Sequence, residues 1–298
     1  MAAPLLLDYQ MWFNELLIGV NTNYDFVQVS GLFGLNIRDG DKPFPRQHGS
    51  IPGEHYKGTI DPVLTIDCVD IPSSLWTTVR RFDEAFTTSE QTDLQGELHF
   101  KLPGLPQLFL RARTRRKQTS IDGLNVGLIP RTVSLKAVDP RYYSYIQYSE
   151  NFPEFNFTGG SLDWDIDWDV DFTGGGSTGE FVITNAGNGN AYPIIKFHFG
   201  ISGTITAVQL TNVTTGQLLD IDRAILTGQI LTADMDKIVR GESGNIIDIA
   251  GASAYDDWQL PRAADPFFFQ PGTNRLRFEL TGSSPNASCT VIWRDTYI

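Results

Sequence analysis

The chain has 298 residues, 41% hydrophobic and 12% aromatic, enough for real cores and too apolar for a disordered protein. Its net charge of −12 is uneven: residues 1–150 carry 15 Lys and Arg against 17 Asp and Glu, and residues 151–298 carry 8 against 18. A surface of this sign repels nucleic acid, and no apolar run reaches the length of a membrane span, so the composition argues against a nucleic-acid binder and against membrane insertion.

Glycine and proline are plentiful, with 28 and 16 residues, and long helical patterns are scarce, which predicts a mostly-β protein. The start, MAAPLLLDYQ, lacks a charged leader and a full apolar core, so no signal peptide is expected. Residues 12–38 alternate short β-rich runs with Gly and Asn turns and predict two or three strands. Residues 39–58 read as a loop, and 59–70 as a strand. One helix is predicted over 73–88, where Leu75, Val79, Phe82 and Phe86 recur on one face and Ser73 stands as a candidate cap. Strands resume at 96–102, turn at 103–106, and continue over 107–117. There Leu108, Leu110 and Ala112 alternate with Phe109, Arg111, Arg113 and Arg115. The basic run from Arg111 to Lys117 reads first as a solvated strand face and hairpin end, then as a subunit interface, and last as a DNA contact. A further strand covers 131–140.

The pattern changes in residues 141–160, rich in Tyr and Phe and closed by Gly-Gly, which places a domain boundary near 150. Tyr142, Tyr143, Tyr145 and Phe152 read as packing in the linker. Beyond it, strand candidates at 179–184, 192–199, 204–210, 216–222, 228–234, 236–240, 245–249, 274–280 and 288–294 suggest a sandwich or barrel. Gln270-Pro271-Gly272-Thr273 suits a type II turn. After it, Leu276, Phe278 and Leu280 face in and Arg275, Arg277 and Glu279 face out. No internal repeat is visible.

The most unusual stretch is GGSLDWDIDWDVDFTGGG, residues 159–176. Asp163, Asp165, Asp167, Asp169 and Asp171 alternate with apolar residues, the period of a strand. Same-face residues on a strand lie about 6.7 Å apart, whereas two oxygens on one calcium are at most about 5 Å apart, so five aspartates in a row do not build one cage. The expected Gly and Glu of a calcium loop are also missing. Two charges about 7 Å apart in water cost roughly 0.6 kcal/mol, which a wet face tolerates. The first reading is a solvated outer strand. A partner-facing acidic strand docking a basic surface comes second, and cation binding third.

No catalytic constellation emerges. His48, His55, His99 and His198 have no Glu or Cys at metal-ligand spacing. Cys68 and Cys289 form neither a disulfide framework nor a zinc motif and read as buried thiols. Gly241-Glu242-Ser243-Gly244-Asn245 lacks the last glycine of a nucleophile elbow, and Gly174-Gly175-Gly176 lacks the lysine of a phosphate loop. The expectation is no enzyme, no metal and no cofactor.

Several short motifs, in order, carry a resemblance. They are FNELLIGVNTNYDFVQVSGLFGLNIRDGD (13–41) with His48-Gly49 after it, LHFKLPG (98–104) after the helix, and VSLKAVDPRYYS (133–144). In the second half they are FVITNAGNGNAYPIIKF (181–197), ITAVQLTNVTTGQLLDID (205–222), FFFQPGTNRLRFEL (267–280) and TVIWRDTYI (290–298). Together the sequence resembles the distal tail proteins of siphophages, especially phages of actinobacteria. The resemblance spans nearly the whole chain. It implies an N-terminal β-barrel-like domain with one added helix over 1–150, forming a homohexameric ring. It also implies a galectin-like C-terminal antiparallel β-sandwich over 151–298. The ring would join the tail tube protein to the tail-tip proteins at the virion tail tip, assembled in the host cytoplasm, with DNA passing through the lumen without specific binding. The acidic strand departs from the family's usual apolar, Ser/Thr/Pro-rich one. The alternatives are a carbohydrate-binding module or a receptor-binding minor tail protein, and then a glycoside hydrolase.

Overall fold

A computed structural model describes residues 3–43, 48, 50–51, 53–54, 56–87, 95–121, 126–153, 180–199, 204–224, 228–242, 244–248, 250–258, 266–283 and 288–298. The chain is mostly β and divides into two compact units, Met1–Tyr145 with Ile298, and Ile146–Tyr297.

In the first unit the strands are β1 (Gln10–Phe13), β2 (Leu16–Gly19), β3 (Tyr24–Ser30), β4 (Leu35–Arg38), β5 (Lys42–Pro43), β6 (Ser50–Ile51), β7 (Tyr56–Ile60) and β8 (Val63–Val69). Helix α1 (Leu75–Ala85) follows, then β9 (Gly96–Lys101), β10 (Leu108–Thr119), β11 (Leu128–Lys136) and β12 (Tyr142–Ser144). The main sheet runs β2-β1-β9-β10-β11-β8-β3, antiparallel throughout, with β12 also pairing β10. Its curl comes from β10, which is long enough to serve two neighbours. Residues Leu108 to Ala112 pair with β9, and Arg113 to Thr119 pair with β11. A bulge between Thr114 and Arg116 bends the strand where it changes partners. The stretch expected as a loop, 39–58, contains instead one short ladder, β5 with β6, and the start of β7, which pairs with β4 before it.

Helix α1 fits the predicted stripe, with Leu75, Val79, Phe82 and Phe86 all buried. Phe86 stacks on Phe13 at 5.0 Å, and Phe82 lies 4.7 Å from Phe86. Burying such a ring contributes roughly 1.5–3 kcal/mol. The helix starts at Leu75 after Ser74, not at Ser73. Ser74 makes no side-chain cap bond to the helix. Its hydroxyl donates to Asp70 Oδ1 at 2.7 Å, while Thr78 Oγ1 donates to Asp70 Oδ2 at 2.6 Å and the Ile71 N–H donates to Oδ1. One carboxylate on the incoming loop therefore anchors the first turn.

In the second unit the strands are β13 (Tyr148–Pro153), β14 (Glu180–Asn185), β15 (Ile194–His198), β16 (Thr204–Asn212), β17 (Gln217–Ile221) and β18 (Ile230–Asp234). Helix α2 (Met235–Arg240), β19 (Ile246–Ile247), β20 (Gly272–Ser283), β21 (Ser288–Trp293) and β22 (Thr296–Tyr297) complete it. Two antiparallel sheets, β13-β21-β15-β18-β19 and β14-β20-β16-β17, sandwich one core. Phe197 of one sheet stacks on Phe278 of the other at 5.5 Å. The span expected as a strand at 236–240 is α2: the Asp234 side chain accepts from Lys237 N–H at its start, and Gly241 closes it at φ 68°.

Buried asparagines fix the sandwich's turns. Asn185 donates to the Gly189 and Phe269 carbonyls and accepts from Gly187 N–H. Asn212 donates to Phe268 O and Asn274 Oδ1. Asn274 donates to the Gln270 and Gly272 carbonyls and accepts from Gln270 N–H. All three are fully buried, and each satisfies backbone groups that a turn leaves unpaired.

Candidate functional site

The histidines and cysteines are dispersed. His99 on β9 is buried, with Nε2 3.1 Å from Glu97, against Trp12 and Phe109. His198 on β15 lies 3.0 Å from Thr290 Oγ1, and burial holds its pKa below the usual histidine value. His48 is exposed, and His55 lies outside the described residues. Cys68 and Cys289 are free, buried thiols, one in each unit. Burial pushes Cys68 up to about 12 and Cys289 up as well, which makes both poor nucleophiles. Among the described residues no group of three His, Cys, Asp or Glu could hold a metal ion, and no helix is long and apolar enough to cross a membrane. Gly241 of the elbow-like motif ends a helix, whereas a nucleophile elbow joins a strand to a helix.

Asp163, Asp165, Asp167, Asp169 and Asp171 lie outside the described residues. The basic run does not. The Arg111 guanidinium sits 4.9 Å over the Tyr143 ring. Lys117 approaches Asp83 at 3.7 Å, and Arg131 bonds the same carboxylate at 2.9 Å, tying β10 and β11 to α1. Because of the bulge, Arg116 rather than Arg115 takes the ladder position after Thr114, opposite Ser134. The alternation expected from sequence therefore fails at Arg115. Arg115 and Arg116 are exposed, and Arg113 is half-buried.

Several described residues of the aromatic stretch are packed inward. Tyr142 and Tyr143 are buried in the first unit, where Tyr142 donates to Leu32 O and Tyr143 to Asp139 Oδ2. Phe152 packs on Phe181 in the second unit. Of the residues read as linker packing, Tyr142 and Tyr143 thus belong to β12 and Phe152 to β13, while Tyr145 lies between these strands.

What the first unit does offer is apolar surface. Phe33, Trp76, Ile37, Ile71 and Val138 are all exposed. Beside β3 opens a cavity of about 800 Å³ whose walls include Tyr9, Met11, Val20, Phe26 and Phe33, with Asp25 among its lining residues. Singly exposed apolar residues are ordinary on a protein surface, so of these features the cavity is the more informative one. Sequence reasoning found the basic run but missed this surface, because exposure of scattered Phe and Val residues depends on which strands end up at the sheet edge.

No family model matches the sequence, and no curated protein matches it either. Solved structures do match. The crystal structure of the SPP1 Dit protein (gp 19.1), a paradigm of the hub adsorption apparatus in phages that infect Gram-positive bacteria, superposes with a TM-score of 0.63. It is 10% identical and covers 97% of this chain and 99% of that one. A chain of the phage P2 baseplate in its activated conformation with calcium gives a TM-score of 0.52 at 9% identity, over 95% and 97%. The strontium form gives 0.51 at 9%, over 95% and 96%. Across nearly its entire length, and through both units, this chain has the fold of a siphophage distal tail hub protein.

Proposed function

We propose that the chain is a structural virion protein, the distal tail hub of a siphophage, forming a six-fold ring that joins the tail tube to the tail-tip apparatus. One observation carries this reading: the likeness to the Dit hub covers 97% of this chain, and so both units, rather than a single common β-sandwich. The motif order in the sequence supports it independently and points to an actinobacterial host. The first unit supplies the ring, as its exposed apolar surface suits. DNA passes the acidic chain without specific contacts. The protein acts without catalysis or cofactor, through contacts with the tail tube protein and the tail-tip proteins. Asp163–Asp171 then present an acidic surface to a basic partner at the tip. The carbohydrate-binding alternative rests on the β-sandwich and the aromatics around 142–157, of which Tyr142 and Tyr143 are buried.

Electron microscopy of purified protein and of phage tails carrying a tagged copy tests the reading. The expected result is a six-fold ring with an open lumen and label at the far end of the tail. Label elsewhere in the virion, or tails that complete without the protein, would sink it.

A further inference from the structure

Two cross-strand pairs on one face of the curled sheet join like charges. In the register of β3 and β8, Asp25 stands directly opposite Asp67. In the register of β10 and β11, Arg113 stands opposite Lys136. Like charges directly opposite one another destabilise a sheet. Asp67 bears the mark of it: its pKa is raised, first by burial and then by Asp25. Among the described residues no cation pairs with either carboxylate and no anion pairs with Arg113 or Lys136. Arg113 Nε is buried without an acceptor.

Both pairs lie on the side of the sheet away from α1. Ile129, Arg131, Val133 and Leu135 alternate into the buried layer, where Arg131 reaches Asp83 of the helix, and Lys136 falls on the opposite side. Leu64, Ile66 and Cys68 of β8 are likewise buried, and Asp67 alternates outward with its partner Asp25. Asp67 pairs across β11 with Pro130, six residues from Lys136. At about 3.4 Å per residue and 4.8 Å per strand, the two pairs occupy opposite corners of the face, on the order of 20 Å apart. That is more than two Debye lengths of about 8 Å at physiological salt. One chain cannot neutralise its own corners. Two copies can.

We propose that the Arg113/Lys136 corner of one copy docks on the Asp25/Asp67 corner of the next. The corners are different surfaces, so the contact is head-to-tail, and repeated at a rotation that closes on itself it makes a ring, as the hub reading requires. Each corner has an apolar companion for the contact to bury. Asp25 lines the cavity that exposed Tyr9, Val20 and Phe33 also line, and exposed Val138 follows Lys136 by two residues. The assignment rests on the hub reading for the ring and names the surfaces that build it.

Sedimentation velocity over a concentration series at low and high salt tests the assignment. The wild-type chain assembles, and more weakly as salt rises. The double variants Arg113→Glu with Lys136→Glu, and Asp25→Lys with Asp67→Lys, each lose self-assembly by about ten-fold or more in dissociation constant. Mixed in equal amounts they recover it, because each altered corner matches the other variant's, and alternating copies satisfy every contact in an even-numbered ring. Should a double variant fail to fold, the single Arg113→Glu replaces it, since the new carboxylate would sit opposite Lys136 as an ion pair. Assembly that ignores both variants, no recovery on mixing, or a wild-type chain that stays monomeric at low salt overturns the assignment. The hub reading is judged separately, by label on tails, so a ring indifferent to these variants sinks the corners and leaves the hub.

Discussion

The two units answer the same problem, covering β-sheet, in different ways. The second unit closes on itself. Two sheets face each other over one continuous core that includes Phe197, Phe278, Trp258 and Trp293, and among its described residues few large apolar side chains remain exposed. The first unit, among its described residues, is a curled sheet with two short separate ladders and one helix on one side. Among the described residues it carries most of the exposed large hydrophobics, an open cavity and two like-charge pairs. Charge divides too, with nearly all of the excess acid in residues 151–298. Among the described residues, then, the second unit buries its large side chains between two sheets, and the first leaves more of its own exposed.

The most severe test of that separation removes one core ring from each unit. Phe197→Ala and Phe82→Ala each delete a fully buried ring, a change that costs about 3–5 kcal/mol. Calorimetry should show two transitions, with Phe197→Ala lowering only one and Phe82→Ala only the other. A single transition shifted by both variants would mean that the units do not melt independently. The difference between them would then be one of surface only.

A smaller loss is expected at Gly187, in the turn that Asn185 organises. A Cβ there would stand 2.0 Å from the backbone oxygen of Thr296. Gly187→Ala should destabilise the second unit by about 3 kcal/mol, since backbone rather than a flexible side chain must move. Limited proteolysis would read it as early cleavage after residue 146 with the first unit intact.

The sequence made the long-range frame of the sandwich visible because its turns are local. Asn185, Asn212 and Asn274 sit in the very motifs that carry the family resemblance, and each fixes backbone within its own turn or a neighbouring one. The α1 stripe was equally plain, because four apolar residues over twelve positions fix a helical face. Helix α2 was not. Six residues hold too few turns for a period to show, although Asp234 and Gly241 mark its ends. The cap at Ser73 was misplaced because the real anchor, Asp70, lies outside the helix and works through Ser74 and Thr78 hydroxyls. The charged corners were beyond reach for another reason. Asp25 and Asp67, like Arg113 and Lys136, are distant in sequence and meet only through register. The bulge after Thr114 further scrambles the simple alternation of the basic run. Composition showed a basic stretch, and only the ladder shows which of its members face like charge.

Acid titration sharpens the picture within the first unit. The hydrogen bond from Thr78, and then that from Ser74, hold the Asp70 carboxyl below its ordinary range. A lowered folded-state value means that its contribution is fully present above the unfolded value of about 3.9 and is lost as pH falls through the folded one. The first unit should therefore loosen at α1 below about pH 4. Asp70→Asn should lower stability at neutral pH and flatten that acid limb, read by the helical circular-dichroism signal. An unchanged limb would show that Asp70 does not anchor the helix.

Asp67 carries the opposite sign, and from it follows the smallest effect. Its raised value means that the charged form is disfavoured in the fold. Its cost is present above the folded value and is relieved as pH falls through it. Removing the repulsion by Asp25→Asn or Arg113→Gln should stabilise the isolated first unit by about 0.2–1 kcal/mol, the scale of a cross-strand pair. In the second unit no matched gain is expected from the charged pair Glu180 and Arg277. There the carboxylate is already answered at 2.6 Å, and removing it should cost stability instead. The sign is the measurement. Neutralising a charge makes the first unit more stable only if its corners are arranged for a partner rather than for the monomer. Equal losses in both units would show that the first unit satisfies its own charges after all.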